Sequence, residues 1–267
     1  MKLKKYFTLT KAGIMESLHF RISSLVLLAG NLIYLVIIYF LWKAIYASAG
    51  TEEVSGMTFS DTLIYLVLAS SIFTFMEMYL VWQMGRDIQT GKIVLDLIKP
   101  MHYRNFEFWS LSGNVVMSFI MTFIPTFIII DIITHGRIHL GFNLLFFLLS
   151  VVMGIIINFN IDFFIGTVCL YTQSIWGINI MKEVIVLLLS GATIPIAFFP
   201  EPLKTIVSYL PFQSIYNAPL TILIENDMPA SKLAAILLTQ LFWVCAVSVI
   251  SKLFWHRSLK IITVNGG

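Results

Sequence analysis

The sequence predicts an all-α, polytopic membrane protein with six transmembrane helices. Three observations carry the prediction: an apolar composition, six long apolar stretches, and the sorting of Lys and Arg to alternate loops. Apolar residues make up 58% of the 267 positions and charged residues 12%, about half the charge of a soluble domain, roughly 25%. Mean hydropathy is +0.90. In water so much Leu, Ile, Val and Phe would leave large apolar patches exposed. Lipid solvates the same side chains, and the 22 Phe suit a lipid-facing surface.

A helix crosses the hydrocarbon core with about 20 largely apolar residues. Ile22–Trp42 is the first such stretch and holds no charge. Thr62–Trp82 holds one acid, Glu77. Leu111–Ile133 contains Pro125 and, near its end, Asp131. Phe142–Thr172 carries Asn158, Asn160 and Asp162 and has room for a break near Asn158. Val184–Ala197 is short and contains Pro195. Leu233–Trp255 is the sixth.

The basic residues orient these spans. Lys2, Lys4, Lys5, Lys11 and Arg21 precede the first. Arg86, Lys92, Lys99 and Arg104 lie between the second and third. Lys182, Lys252, Arg257 and Lys260 complete 13 of the 17 basic residues on one side. Lys43, Arg137, Lys204 and Lys232 share the other side with six acids. Positive residues stay cytoplasmic, so both termini are expected inside, and the span count is even. The net charge of +3 is then a topology signal and does not point to nucleic acid. Residues 1–20 lack the apolar run of a cleavable signal peptide. Leu3, Tyr6, Phe7, Leu9, Ile14, Leu18 and Phe20 interleave with Lys, Thr and Glu instead, which reads as a basic amphipathic helix on the cytoplasmic face; the alternative is a disordered basic leader. Cys169 and Cys245 fall in predicted spans and imply packing, with no disulfide framework.

Two stretches differ from plain spans. Residues 83–105 mix apolar and charged positions; Ile88, Leu95 and Ile98 can share a helical face, with a break at Gly91 and a stop at Pro100. A short amphipathic helix of this kind either rests on headgroups or plugs into a groove on a soluble partner. Gly85–Lys92 imitates a phosphate-binding loop, but five residues separate its glycines and Ile93 follows the Lys, so no ATP site is expected in the chain. Residues 190–229 hold six of the eight prolines, among them Pro195, Pro200, Pro211 and Pro219. Broken backbone at membrane depth is tolerated only where protein or water satisfies it. A re-entrant external region of short helices is therefore expected there, with Tyr209, Phe212 and Tyr216 at the interface.

Intramembrane ionisable groups are functional candidates by default. Glu77 and Asp131 sit near span ends, where snorkelling explains them. Asn158, Asn160 and Asp162 form a possible polar cluster; Asn158 and Asp162 share a helical face and either line a pathway or bond neighbouring spans. His135 and His139 lack the pattern of a zinc site, no metal site is expected, and no hydrolase motif is present. A gradient-driven secondary transporter is the alternative function; it favours acids on broken helices in repeated halves, and no internal repeat is visible.

Two of these segments also resemble a known family, the type 2 ABC exporter permeases, six-span membrane subunits that work with a separate ATPase. One is Ile88, Gly91, Leu95, Leu97, Ile98, Lys99 and Pro100. The other is Gly191–Pro195, Phe198, Phe199 and Pro200, Leu210, Pro211 and Phe212, then Pro219. The resemblance covers the whole chain, 1–267, as one permease domain, although Asp96 sits later than the family's usual Asp. It implies that residues 1–20 form an interfacial helix, that 83–105 holds the coupling helix seated in the ATPase, and that 190–229 returns into the outer leaflet. It further implies no catalysis and no cofactor on this chain, ATP and Mg on the partner ATPase, and a second permease chain, identical or different. The expected location is a bacterial-type cell membrane.

Overall fold

The computed structural model describes residues 2–19, 21–136, 138, 141–172, 175–225 and 227–261. Phe20, Arg137 and His139 lie outside the described residues. The chain opens with helices α1 (Lys2–His19) and α2 (Arg21–Ala49). A hairpin of β1 (Glu53–Val54) and β2 (Met57–Thr58) follows, turning at Ser55 and Gly56, both at positive φ; such angles suit a two-residue hairpin loop. Thr58 and Asp61 form a capping box that starts α3 (Phe59–Met76). Next come α4 (Leu80–Gln89), α5 (Ile93–Leu97), α6 (Tyr103–Ser118) and α7 (Ile124–Ile133). Then follow α8 (Asn143–Val168), α9 (Trp176–Leu189), α10 (Glu201–Ser208), α11 (Asn217–Ile224) and α12 (Ala230–Ser258).

Among the described residues, five helical stretches are long and apolar enough to cross a membrane: Ala29–Ala49, Phe59–Gln89, Tyr103–Ile133, Asn143–Val168 and Ala230–Ile261. The protein is a multi-pass membrane protein. These stretches contain or overlap the predicted first, second, third, fourth and sixth spans. The predicted fifth, Val184–Ala197, does not form as one helix. Its helix, α9, starts eight residues earlier and ends at Leu189 after 14 residues. Gly191 then takes a φ of 80°, and a Cβ there would lie 2.7 Å from the Tyr65 hydroxyl. The apolar run continues past this point in sequence, but the left-handed residue and Pro195 stop the helical ladder.

The fourth stretch has no break near Asn158; α8 is continuous. The break falls instead between α3 and α4, where Glu77–Tyr79 leave the helix and Tyr79 takes a φ of 51°. A bulky residue there is strained. Pro125 does not break its helix either. The turn before it, Phe119–Phe123, widens to π geometry, one of the recognised ways a helix absorbs a local disruption of its ladder.

α8 is central and packs against α4, α11 and α12. Its two ends fix its direction relative to α12. Asn143 donates to the Glu225 carbonyl (3.2 Å) just before α12 begins, and Tyr171 Oη lies 3.0 Å from Ser258 Oγ where α12 ends. The two helices are therefore parallel, and the chain between them returns along their length. Trp255 stacks on Tyr103 at 5.1 Å, so the end of α12, with Arg257 and Lys260, meets the start of α6 and the basic 83–105 segment. This is the basic end of the bundle.

The disordered-leader alternative for the N-terminus is set aside, since α1 docks on α6. Tyr6 stacks on Trp109, and the Thr10 hydroxyl bonds Ser112 (2.9 Å). Gly13 faces Gly113 so closely that a Cβ on Gly13 would sit 2.5 Å from the Ser110 carbonyl, and one on Gly113 would overlap the α1 backbone. Helix backbones meet this way only through residues without side chains. Gly113→Val should therefore cost about 1–3 kcal/mol of overpacking and release α1. Limited trypsin digestion at Lys4, Lys5 and Lys11 would then run faster than in the wild type; an unchanged rate would mean that α1 is not held by this crossing.

Candidate coupling and polar site

Helix length sets the level of the break. From Phe59 to Met76 an α-helix rises about 27 Å, close to the hydrocarbon thickness of about 30 Å. The break thus falls at the edge of the apolar layer nearest the basic end. Counted from Asn143, Asp162 lies about 28 Å along α8, at the same level. Asp162 pairs with Lys182 of α9 at 3.0 Å, their side chains 1% and 6% exposed. Glu77 and Glu183 lie within electrostatic reach of Lys182, and the Asn179 amide donates to the Glu183 carboxylate. One lysine therefore answers three acids. Asn158 donates to the Met76 carbonyl at 3.1 Å, meeting an acceptor that the break strips of its helical partner.

The predicted cluster of Asn158, Asn160 and Asp162 is thus three separate ties from one helix. Asn158 holds the broken end of α3 and Asp162 holds α9. The Asn160 oxygen accepts from Arg104 of α6 and from Ser251 of α12 (2.8 Å), and its amide donates to Ser248 (3.1 Å). A fourth tie was not anticipated. Gln240 of α12 donates to the Ser214 carbonyl (2.8 Å) and the Ser150 carbonyl (3.2 Å), and accepts from the Ser150 hydroxyl (2.8 Å). Lys182, counted in sequence only as a topology charge, is a buried partner. An Asp inside an apolar stretch demands a cation, and that was the signal available for it. Glu77 matches the expected level near a span end, yet it faces this charge cluster. Asp131 lies two residues from the end of α7 and is half-buried.

Beyond the break, α4 and α5 carry the residues that the sequence predicts for coupling. Gly85, in the near-miss phosphate loop, lies inside α4 at the van der Waals surface of Ile175, where a Cβ would clash; it is a packing glycine. Gly91 ends α4 with a φ of 73° and its N–H on the Ile88 carbonyl (3.2 Å), a glycine helix stop. The turn it makes separates the predicted face. Ile88 is half-buried against the core with Leu97, whereas Leu95 and Ile98 stand 62% and 75% exposed, three residues apart. Under this apolar knob lie two ion pairs, Lys92–Asp87 (3.3 Å) and Lys99–Asp96 (2.6 Å), both acids buried. The Lys99 ammonium also sits 3.7 Å from the Phe106 ring centroid, a cation–π contact. Glu107, fully buried on α6, accepts from Gln83 of α4 (2.9 Å). Exposed Pro100 closes the segment before α6.

The proline-rich region consists of short helices, as expected, with the prolines mostly at helix starts. Pro195 precedes a 3-10 turn at Ile196–Phe198; Pro200 precedes α10, and Pro211 precedes a 3-10 turn at Phe212–Ser214. Pro219 occupies the first turn of α11, where the missing N–H costs no ladder bond. Phe199, Pro211 and Phe212 are half-buried and Pro195 and Pro219 buried. Tyr209 is exposed, whereas Tyr216 is 2% exposed and packs on Phe73 inside the protein.

A family model described as ABC-2 family transporter protein matches residues 32–266. That range includes the polar ties, the coupling segment and the proline-rich region. No curated protein matches the chain.

Breaking a buried ion pair by removing one partner costs about 3–5 kcal/mol. Here the two partners are not equivalent. Lys182→Met strands three acids together, whereas Asp162→Asn leaves Lys182 with Glu77 and Glu183. Thermal melts in detergent should therefore fall further for Lys182→Met than for Asp162→Asn, and the double variant should recover part of the loss. Equal losses for the two single variants would contradict the shared-lysine arrangement.

Proposed function

The chain belongs to the ABC-2 family of transporter proteins, and from that premise we propose that it is the permease subunit of an ATP-driven exporter whose ATPase is a separate chain. The observation that carries this reading is the Leu95–Ile98 knob. It is apolar, exposed, presented on a five-residue helix at the basic end, and braced from beneath by two ion pairs. A short apolar ridge of this kind fits a groove on a soluble partner. ATP and Mg are bound by that partner, and this chain supplies no catalytic group.

In this reading the basic end is cytoplasmic, both termini lie there, and the cell membrane is of bacterial type. The chain crosses six times. α9 makes the first part of the fifth crossing, and residues 190–200 complete it; α10 and α11 form the external re-entrant part. A second permease chain, identical or different, completes the pathway. Closure of the ATPase pushes on α5. The segment moves with α4 and α6, to which the Lys92–Asp87 pair and the Lys99–Phe106 contact tie it, Gln83 and Glu107 join α4 to α6, and α1 follows α6 through the Gly13–Gly113 crossing. The break at Glu77–Tyr79 is the joint between this moving part and α3. A partner with no site on the permease for ATP drives it by binding its two states unequally. A gradient-driven transporter would also use an acid at a helix break, and Glu77 is one; Lys182 beside it favours a structural tie.

Co-purification of a tagged chain in mild detergent tests the assignment. A soluble Walker-motif ATPase should accompany the wild type and be lost from the Leu95→Asp/Ile98→Asp variant, with membrane insertion intact. A chain that purifies alone and transports without ATP would overturn it. Gly91→Pro cannot adopt the positive φ and should abolish transport while leaving insertion unchanged; export at the wild-type rate would remove Gly91 from the coupling path.

A further inference from the structure

A second feature of the basic end is not part of the coupling knob. Between the start of α1 and the chain entering α6 lies a cleft of ≈ 560 Å³, lined by Lys5, Tyr6, Leu97, Lys99, Pro100, Met101 and His102. Lys4, Lys5 and Lys11 of α1 are exposed. The nearby acids, Asp87 and Asp96, are buried and already paired with Lys92 and Lys99, so the accessible charge around the opening is positive. His102 is the N-cap residue of α6 and makes no side-chain cap; the positive end of that helix dipole adds to the same field. The walls are mixed. Tyr6, Leu97, Pro100 and Met101 give an apolar side to receive glycerol and the first acyl carbons, and the Lys5 and Lys99 ammonium groups and the His102 imidazole give a polar side.

We propose that this cleft binds the phosphate of an anionic membrane lipid. Phosphate is the chemistry the cations select. The lipid, as its source, follows from the amphipathic helix that forms one wall: α1 carries Phe7 and Met15 exposed beside its lysines, the pattern of a helix at the headgroup layer. The site joins lipid composition to the coupling segment, because Lys99 belongs to both. It requires a headgroup layer at the basic end and does not depend on the ATPase, so it can fail while the exporter assignment stands.

The test is native mass spectrometry of the purified full chain in detergent, titrated with phosphatidylglycerol, with phosphatidylcholine, or with inorganic phosphate. Phosphatidylglycerol should be retained more tightly than phosphatidylcholine. Lys5→Gln should weaken its retention about fivefold, the worth of one basic residue near an anionic surface. Lys5→Arg should keep it, and Lys204→Gln, on α10, should not change it. Equal retention by wild type and Lys5→Gln would overturn the proposal. So would inorganic phosphate binding as tightly as the lipid, which would assign the cleft to a free anion. Loss of the co-purifying ATPase from Lys5→Gln with lipid retention unchanged would also overturn it, and would assign the cleft to the protein partner.

Discussion

The buried Asp162–Lys182 ion pair is the constraint on which the arrangement depends. It lies at the level where α3 stops, beside Glu77, and it holds the short helix α9 against α8. Without a cation there, three carboxylates would face one another at the edge of an apolar layer, a cost far beyond what the surrounding packing offsets. With it, the helix break at Glu77–Tyr79 is tolerated, because Asn158 covers the freed carbonyl and Lys182 the adjacent charge. The break in turn lets α4 leave the direction of α3 and present α5 at the basic end. A single polar layer therefore divides a bundle of apolar spans from a charged lobe built of α4, α5, the first half of α6 and α1.

Much of this was legible in the sequence. Composition alone gave the class, and five of six apolar stretches gave helices in the right places, because about 20 apolar residues have one stable arrangement in lipid. The proline spacing correctly announced short helices. Hydropathy failed at the fifth stretch because it is blind to φ: the run Val184–Ala197 carries no charge, but Gly191 turns left-handed beneath Tyr65. It failed differently at Asn158, where polar residues suggested a break. Those residues were instead satisfied by neighbours distant in sequence, and the break fell at Glu77–Tyr79, a stretch with no proline or glycine to announce it.

The candidate site was half legible. The segment Ile88–Pro100 was found by its mixture of apolar and charged positions and by its resemblance to a family. Which side chains face outward was not, since one positive φ at Gly91 separates Ile88 from Leu95 and Ile98. Lys182, Gln240 and Glu107 were missed as partners for a common reason. Each is a polar residue whose role is defined by a contact 20 or more positions away, as in Gln240 with Ser150, and no local pattern encodes such a pair.

The central claim is that the exposed knob on α5 is the surface through which a separate ATPase drives the spans. Replacing Leu95 with a photo-crosslinking amino acid and irradiating intact membranes tests it most directly. The account predicts a covalent adduct to a soluble Walker-motif ATPase, formed from Leu95 and not from half-buried Leu97. Adducts to lipid alone from Leu95 would contradict it, and would make α5 a helix that rests on the membrane surface.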